Sequence, residues 1–477
     1  MKKLDESSLR DLYTQKGQGH LFQFWDQLSP IQKKNFLAQL EGIDLDLVNQ
    51  LARDYLDKRI QPFDLSDLKP ASYQPFPYDK KSSFEWENAH NIGEAAIRSG
   101  RLALFTAAGG QGTRLGYDGP KGTYPASPLR SATLFQLFAE KISFASKQYE
   151  VSIPWFIMTS HLNHEATIEF FKENQFFNLG DNSVHFFNQG VMPAVDNNGK
   201  IILSAKDTIA MSPDGHGGAF KALWQSGAIH KMETLGCDLL SYFQVDNPLV
   251  HCVDPAFIGF HVDAQSEMSS KMIAKNSPEE KVGVFCESKQ RMIIVEYSDL
   301  LLSLKNEKTA SGNLRFHAGS IAVHLLNRNF IERMAKDNNP ECSLSFHIAK
   351  KKVPTIDQKG NLVVPEKPNG IKFEQFIFDA LPFARNPIIV EVSRKDAFSP
   401  IKNAQGIDSP LSSTDDQLRQ FARWATAAGV SIPVDDTGLP DFPFEVSPLF
   451  ACDQKSFIDA YEKAGRPPIH PNLILSP

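Results

Sequence analysis

Residues 102–124 read LALFTAAGGQGTRLGYDGPKGTY, and the order of residue types in this stretch decides the fold class. A short apolar run, Leu102 to Phe105, has the length and character of a buried parallel strand. It empties into a turn dense in glycine. Lacking Cβ atoms, Gly109, Gly110, Gly112 and Gly116 let the backbone bend sharply and bring N–H groups up to phosphate oxygens. Arg114 and Lys121 follow within reach of the same place, so fixed dipoles and two cations converge on it. The stretch reads as a cradle for a polyphosphate at the end of a strand.

Two other glycine loops are excluded by spacing. A Walker A loop carries its lysine directly after the last glycine and then Ser or Thr, whereas Lys121 lies between Pro120 and Gly122. The dinucleotide fingerprint needs a third glycine where Leu115 stands, and an acidic residue about twenty positions on. The next acid after Asp118 is Glu140, late in an expected helix, so a dinucleotide oxidoreductase is disfavoured.

On either side of this stretch the pattern alternates. A helix is expected around 132–147, a strand at Trp155–Thr159, a helix at 164–174 and a second unbroken apolar strand at 239–245 ending in Asp246. Strands alternating with helices imply an α/β fold with a mainly parallel sheet covered on both faces, its ligand beyond the carboxyl ends of the strands. Before this core, Ser29-Pro30 is a helix cap followed by a first-turn proline, and Leu47, Val48, Leu51 and Tyr55 repeat helical spacing. Residues 61–78, rich in proline and aromatics, read as an extended linker. Helical periodicity returns at Phe373, Phe376, Ile377, Ala380 and Leu381, and beyond Asn386 the chain reads as irregular and proline-rich. The expected domains are a helical N-terminal region with linker over 1–92, a catalytic domain over 93–385 and a small C-terminal domain over 386–477.

Length and composition suit an enzyme of two or three domains. The chain has 477 residues, 42% of them hydrophobic, and a net charge of −6, which points away from nucleic-acid and membrane surfaces. No apolar run reaches bilayer length and Met1-Lys-Lys-Leu-Asp leads into no signal core, so a cytoplasmic location is expected. Cys237, Cys252, Cys286, Cys342 and Cys452 show no CxxC spacing, against structural zinc or a disulfide framework. His161 and His164 in SHLNH read as a surface pair at a helix start.

The pattern GGxGTRLG followed by PKG resembles the nucleotidyltransferases that join a nucleoside triphosphate to a sugar 1-phosphate. More closely, it is similar to the eukaryotic-type UDP-N-acetylglucosamine pyrophosphorylases of the UDP-glucose pyrophosphorylase superfamily. Supporting blocks follow in order: FFNQGVMPA (Phe186–Ala194), MSPDGHGGAFKAL (Met211–Leu223), FQVDNPLVHCVDPAFIGF (Phe243–Phe260), KVGVFCE (Lys281–Glu287), VEYSDL (Val295–Leu300), KPNGIKFEQFIFD (Lys367–Asp379) and FSPIKNA (Phe398–Ala404). The resemblance implies a Rossmann-like, mainly parallel mixed sheet covered by helices, as in the nucleotide-diphospho-sugar transferase (GT-A-like) fold. It also implies transfer of a uridylyl group from UTP to a sugar 1-phosphate, giving a UDP-sugar and pyrophosphate. GlcNAc 1-phosphate is the family default, and glucose 1-phosphate or a broad range of sugars the alternative.

Such a transfer is an in-line attack by an oxygen that is already anionic, so it needs charge neutralisation and alignment rather than a strong base. Arg114 suits the leaving β- and γ-phosphates, and Lys121 the α-phosphate where charge gathers. By resemblance Asp246 is the Mg²⁺ ligand, though a strand-end Asx cap is its ordinary role. Lys402 resembles a lysine reaching the phosphates from the far side of the cleft, with Lys372 a second candidate and an exposed loop lysine the plain alternative. By resemblance the uracil would meet the backbone of Ala108, Gly109 and Gly110, the side chain of Gln189 and the backbone of Gly215, while Gly112 and Thr113 also bind the nucleotide. The sugar would meet Gly283 and Glu296, and the positions of His216 and Ser320. There the sequence departs from the family, which shows asparagine in GNGG and NAGN where this chain has Gly215-His216-Gly217-Gly218 and His317-Ala318-Gly319-Ser320. Two lost amides at a hydroxyl-reading site leave the sugar open. The expected partners are small molecules alone, with no nucleic acid and no membrane, in a monomer or weak homo-oligomer. A UDP-sugar-binding protein without turnover is the reading from another class, and the joint presence of Arg114, Lys121, Asp246 and Lys402 argues against it.

Overall fold

The structure, a computed structural model, describes residues 5–57, 67–336 and 344–477. Cys342, the first four residues and the first part of the 61–78 stretch lie outside the described residues. The chain forms two compact units that interleave along the sequence: one comprises the described parts of 1–66, 189–219 and 343–379, the other 67–188, 220–342 and 380–477. This division cuts across the linear boundaries 1–92, 93–385 and 386–477. Strand pairing causes it: Val195-Asp196 pairs with Gly370-Ile371, so two excursions far apart in sequence share one core.

The larger unit is built on a ten-stranded mixed sheet. Its strands are β1 (Lys69–Pro70), β2 (Leu102–Ala107), β3 (Trp155–Thr159), β4 (Val184–Asn188), β5 (Leu239–Gln244), β6 (Met268–Ala274), β7 (Val284–Ser288), β8 (Arg291–Val295), β9 (Ala318–Asn327) and β10 (Ile388–Glu391). Around β2 the sheet is parallel, with β5 on one side and β3 then β4 on the other. Beyond β5 it turns antiparallel through β9, which carries β6 and β7. All of β3 and all but the last residue of β2 are buried, because helices cover both faces. The expected helix near 132–147 is Leu134–Tyr149, capped by Thr133, and its Phe135 and Phe138 pack into the core with Trp155 and Phe171. Trp155 also donates its indole N–H to Thr106 at 2.8 Å, which satisfies a buried polar pair between neighbouring strands.

Two other helices of this unit, Lys80–Arg98 and Pro255–Asp263, touch backbone to backbone. A Cβ built on Gly93 would lie 1.8 Å from the Pro255 carbonyl oxygen, and one on Gly259 1.6 Å from that of Ala89. No rotamer relieves such a contact, so the helices would have to separate. Gly259→Ala is expected to destabilise the protein by about 3 kcal/mol, the upper range for overpacking. Thermal melting checks this, and an unchanged midpoint would show that the crossing yields freely.

Beyond Asn386 the chain is more regular than the proline content suggests. Ser409 and Pro410 start an 18-residue helix, Pro410–Ala427, with a cap-plus-proline signal like that of Ser29-Pro30. Its Leu418, Phe421, Trp424 and Ala425 form a separate core with Phe444, Phe457 and Tyr461. Glu445 and Glu140 both bind Arg130, at 2.7 and 2.8 Å, tying this cluster to the Leu134–Tyr149 helix.

In the smaller unit, helices Pro30–Glu41 and Leu45–Leu56 form as expected, the first with a Ser29–Gln32 capping box. Their Phe36, Leu40, Val48 and Leu51 pack on Ile371 and Phe373. The helix expected from Phe373 to Leu381 is absent: Gly370–Gln375 is a strand and Ile377–Phe383 a 3₁₀ turn containing Pro382. Ile371 and Phe373 alternate inward with period two, and the following turn happens to continue the apolar spacing at helical intervals.

Candidate functional site

β2 and β5 run parallel with Ala107 opposite Gln244, so the glycine loop and Asp246 leave the same edge of the sheet side by side. Two adjacent strand ends thereby deliver their chemistry to one spot. Lys121 returns to this edge through a paired turn: its N–H donates to the Gly110 carbonyl at 3.1 Å, and that of Gly112 to Gly119 at 2.9 Å. Gly116 adopts φ +68°, a left-handed conformation open to glycine, while Gly112 is needed because a Cβ would approach Tyr117 to 2.7 Å. Around Gly110, by contrast, nothing lies within 4 Å of that direction, which leaves room for a ligand. The N–H groups of Gly109, Gly110, Gln111 and Thr113 donate to no backbone carbonyl among the described residues. They are the donors a phosphate would use.

The Lys121 ammonium donates to Asp246 Oδ2 at 3.1 Å, with both side chains largely buried. Burial pushes the Asp246 carboxyl up, but the Lys121 and Lys402 ammoniums and the Lys121 hydrogen bond outweigh it and hold it below the ordinary carboxylate range. Lys402 is brought in by the segment after Phe398: the Ile401 N–H donates to the Asp246 carbonyl at 2.8 Å, and the Lys402 Nζ sits 5.4 Å from the Phe398 ring centre. Arg114 and Thr113 are exposed on the loop, and Arg114 has no ion-pair partner among the described residues. Ala108 is buried beneath the loop. The glycine loop, Lys121, Asp246 and Lys402, drawn from three distant stretches, thus lie together.

The same unit groups three sugar-site candidates. The Ser320 N–H donates to the Gly283 carbonyl at 2.8 Å, and a Cβ on Gly283 would lie 3.3 Å from Glu296 Oε1. Gln189, Gly215 and His216 belong to the other unit, where the Asp214 N–H donates to Gly190 at 3.1 Å and places Gln189 near Gly215. Gly215 is at φ +85° with the Gln375 carbonyl 2.3 Å from where a Cβ would stand, so only glycine fits there. His216 stacks on Phe376 with ring centres 5.2 Å apart, and its Nδ1 accepts from the Ile377 N–H at 3.2 Å. Burial, aided by nearby His347, pushes its pKa down to about 4, so the ring is neutral with its proton on Nε2. Lys372 lies on the Gly370–Gln375 strand of this unit.

Sequence reasoning missed Asn163. Buried between the exposed His161 and the helix-start His164, it donates from Nδ2 to the carbonyls of Ala108 and Gly110, at 2.9 and 3.2 Å, and so holds the glycine loop from behind. Its only signal in the sequence was an asparagine directly ahead of a helix start, and its burial beside Ser160 shows only in the fold. Also missed was Asp408, whose carbonyl accepts the N–H groups of Lys402 and Asn403 at 2.6 and 2.9 Å and closes the loop that carries Lys402.

No group of three or more metal-ligating side chains occurs among the described residues, and no helix there is long and apolar enough to cross a membrane. A single ionised carboxylate suits a cation that keeps most of its waters and takes its other ligands from phosphates, as Mg²⁺ does.

The family model described as UTP–glucose-1-phosphate uridylyltransferase matches residues 48–414. The chain is 36% identical over 456 residues to human UDP-N-acetylhexosamine pyrophosphorylase-like protein 1, covering 92% of this chain and 89% of that protein. It is 34% identical to UDP-N-acetylglucosamine diphosphorylase 2 of Arabidopsis thaliana, covering 91% and 87%. Among solved structures, the uridine diphosphate N-acetylglucosamine pyrophosphorylase of Trypanosoma brucei in complex with inhibitor superposes with a TM-score of 0.82 at 27% identity, covering 99% of each chain.

Proposed function

Because the chain belongs to the UTP–glucose-1-phosphate uridylyltransferase family, we propose that it makes UDP-GlcNAc and pyrophosphate from UTP and GlcNAc 1-phosphate through the residues grouped around Lys121 and Asp246. As a member of that family it is a nucleotidyltransferase, a UDP-sugar diphosphorylase. The observation that carries the site is the Lys121–Asp246 pair, largely buried, beside a glycine loop in which the N–H groups of Gly109, Gly110, Gln111 and Thr113 donate to no backbone carbonyl among the described residues.

In the proposed mechanism the loop and Arg114 bind the β- and γ-phosphates, and Lys121 lies against the α-phosphate. A phosphate oxygen of the sugar 1-phosphate attacks the α-phosphorus while the bond to the β-phosphate oxygen breaks, and pyrophosphate leaves with that electron pair. Charge building on the α-phosphate oxygens meets the ammonium of Lys121, which Asp246 holds in place, and that of Lys402 nearby. Mg²⁺, held by Asp246, would supply further neutralisation of the phosphates. Gln189 and Gly215 read the uracil, while Gly283, Glu296, His216 and Ser320 read the sugar. The cytoplasm and a monomer or weak homo-oligomer complete the proposal.

The decisive assay is pyrophosphate release from UTP with the 1-phosphates of GlcNAc, GalNAc, glucose and galactose, each with and without Mg²⁺. Release with GlcNAc 1-phosphate, dependent on the metal, is the expected result; no release with any sugar would overturn the proposal. His216 bears on the sugar, since its neutral ring presents one donor where an amide would present a donor and an acceptor. His216→Asn combined with Ser320→Asn is expected to raise the kcat/KM ratio of GlcNAc 1-phosphate over glucose 1-phosphate about tenfold. An unchanged ratio would place specificity elsewhere.

A further inference from the structure

We infer that Arg394 is a positioning residue that locks the loop leading to Gly283 onto the segment carrying Lys402, so that sugar and phosphate are aligned by one clamp. Its guanidinium Nη2 donates to Glu280 Oε1 at 2.7 Å and to the Ala274 carbonyl at 3.1 Å. Ala274 is the last residue of β6, and Glu280 lies in the loop that follows it. The other Glu280 oxygen accepts the Asn276 N–H at 2.9 Å, and its carbonyl accepts the Val282 N–H at 3.0 Å, next to Gly283. One acid therefore gathers both ends of the 276–282 loop, and Arg394 holds that acid.

At its other end Arg394 opens the short Arg394–Ala397 helix that runs into Phe398 and Lys402. Its guanidinium carbon is 5.9 Å from the Phe398 ring centre, and the Lys402 Nζ is 5.4 Å from the same centre. Two cations thus share one aromatic ring, and the arginine's fixed fork sets where that ring lies. The Arg394–Glu280 pair is about three-quarters buried, with 26% and 19% of the two side chains exposed, well shielded for an ion pair. The Arg394 Nε–H is moreover buried without an acceptor among the described residues. An arginine serving only to satisfy its own donors would not settle so.

This inference rests on the proposed roles of Gly283 and Lys402, and its test separates the two. Arg394→Ala, Arg394→Lys, Glu280→Gln and the double variant Arg394→Ala/Glu280→Gln are assayed for pyrophosphate release per folded molecule, with melting temperature measured alongside. Arg394→Ala is expected to raise KM for the sugar 1-phosphate and lower kcat, together about a hundredfold in kcat/KM, with KM for UTP within twofold of wild type. Arg394→Lys should recover part of the loss, because a lysine restores the charge but not the fork. The double variant should be no worse than the poorer single one, since both remove the same clamp. Wild-type constants in Arg394→Ala, an equal rise in the UTP KM, or a lowered melting temperature with unaltered constants would each overturn the inference. A wild-type protein inactive with every sugar would instead overturn the proposed function.

Discussion

Asp246→Ala is expected to lower turnover by at least three decades while leaving a folded protein. The backbone at this position is independent of the side chain, since its carbonyl still accepts the Ile401 N–H. Removing the carboxylate does strand Lys121, whose side chain is only 15% exposed, and that unpaired ammonium costs about 1–3 kcal/mol. The variant should therefore melt somewhat lower yet show a native circular-dichroism spectrum. Catalysis suffers far more, because the proposed metal ligand and the group that fixes the Lys121 ammonium go together. Asp246→Asn keeps the shape and one acceptor but not the charge, and is expected to fail nearly as badly. Rates near wild type in either variant would remove Asp246 from the metal role.

Lys121→Ala is expected to lower kcat by two to three decades and to raise the KM for UTP much less. In the proposed mechanism the ammonium stands where charge grows as the α-phosphorus is attacked, so its contribution would be larger in the transition state than in the ground state. A rise in KM at unchanged kcat would mean uniform binding of UTP instead. A second signature follows from the Asp246 carboxyl. Burial raises its pKa and the two lysines lower it, so without Lys121 it must titrate at higher pH. The acid limb of the pH–rate profile is thus expected to move upward in the variant, and a limb that stays in place would count against Asp246 acting in its ionised form. Gly122 explains why Lys121 arrives at this spot: a Cβ there would meet the Phe135 ring at 2.1 Å, so the loop lies flush on the Leu134–Tyr149 helix.

Legibility varied with the range of the interactions involved. β2, β3, β5 and the helix cap at Ser29 arise from residues within a few positions of one another. Short apolar runs and cap residues carry that information locally. The Phe373–Leu381 stretch misled because its apolar spacing spans two elements, and only pairing with Phe346–Lys351 shows that the first is a strand. The interleaving of the two units was invisible for the same reason. Asn163 passed unnoticed because its value lies in carbonyls more than fifty residues away.

From its residues alone this chain declares an α/β core, a glycine-dense turn suited to phosphate after the first long strand, and an acid at the end of another apolar strand. Those features depend on side-chain size, charge and backbone freedom over short distances. Folding in three dimensions added the rest: that Lys121 and Asp246 meet at 3.1 Å, that Lys402 joins them, and that His216 is held neutral against Phe376. Each of these is a contact between segments remote along the chain, and its strength comes from burial that no local pattern encodes.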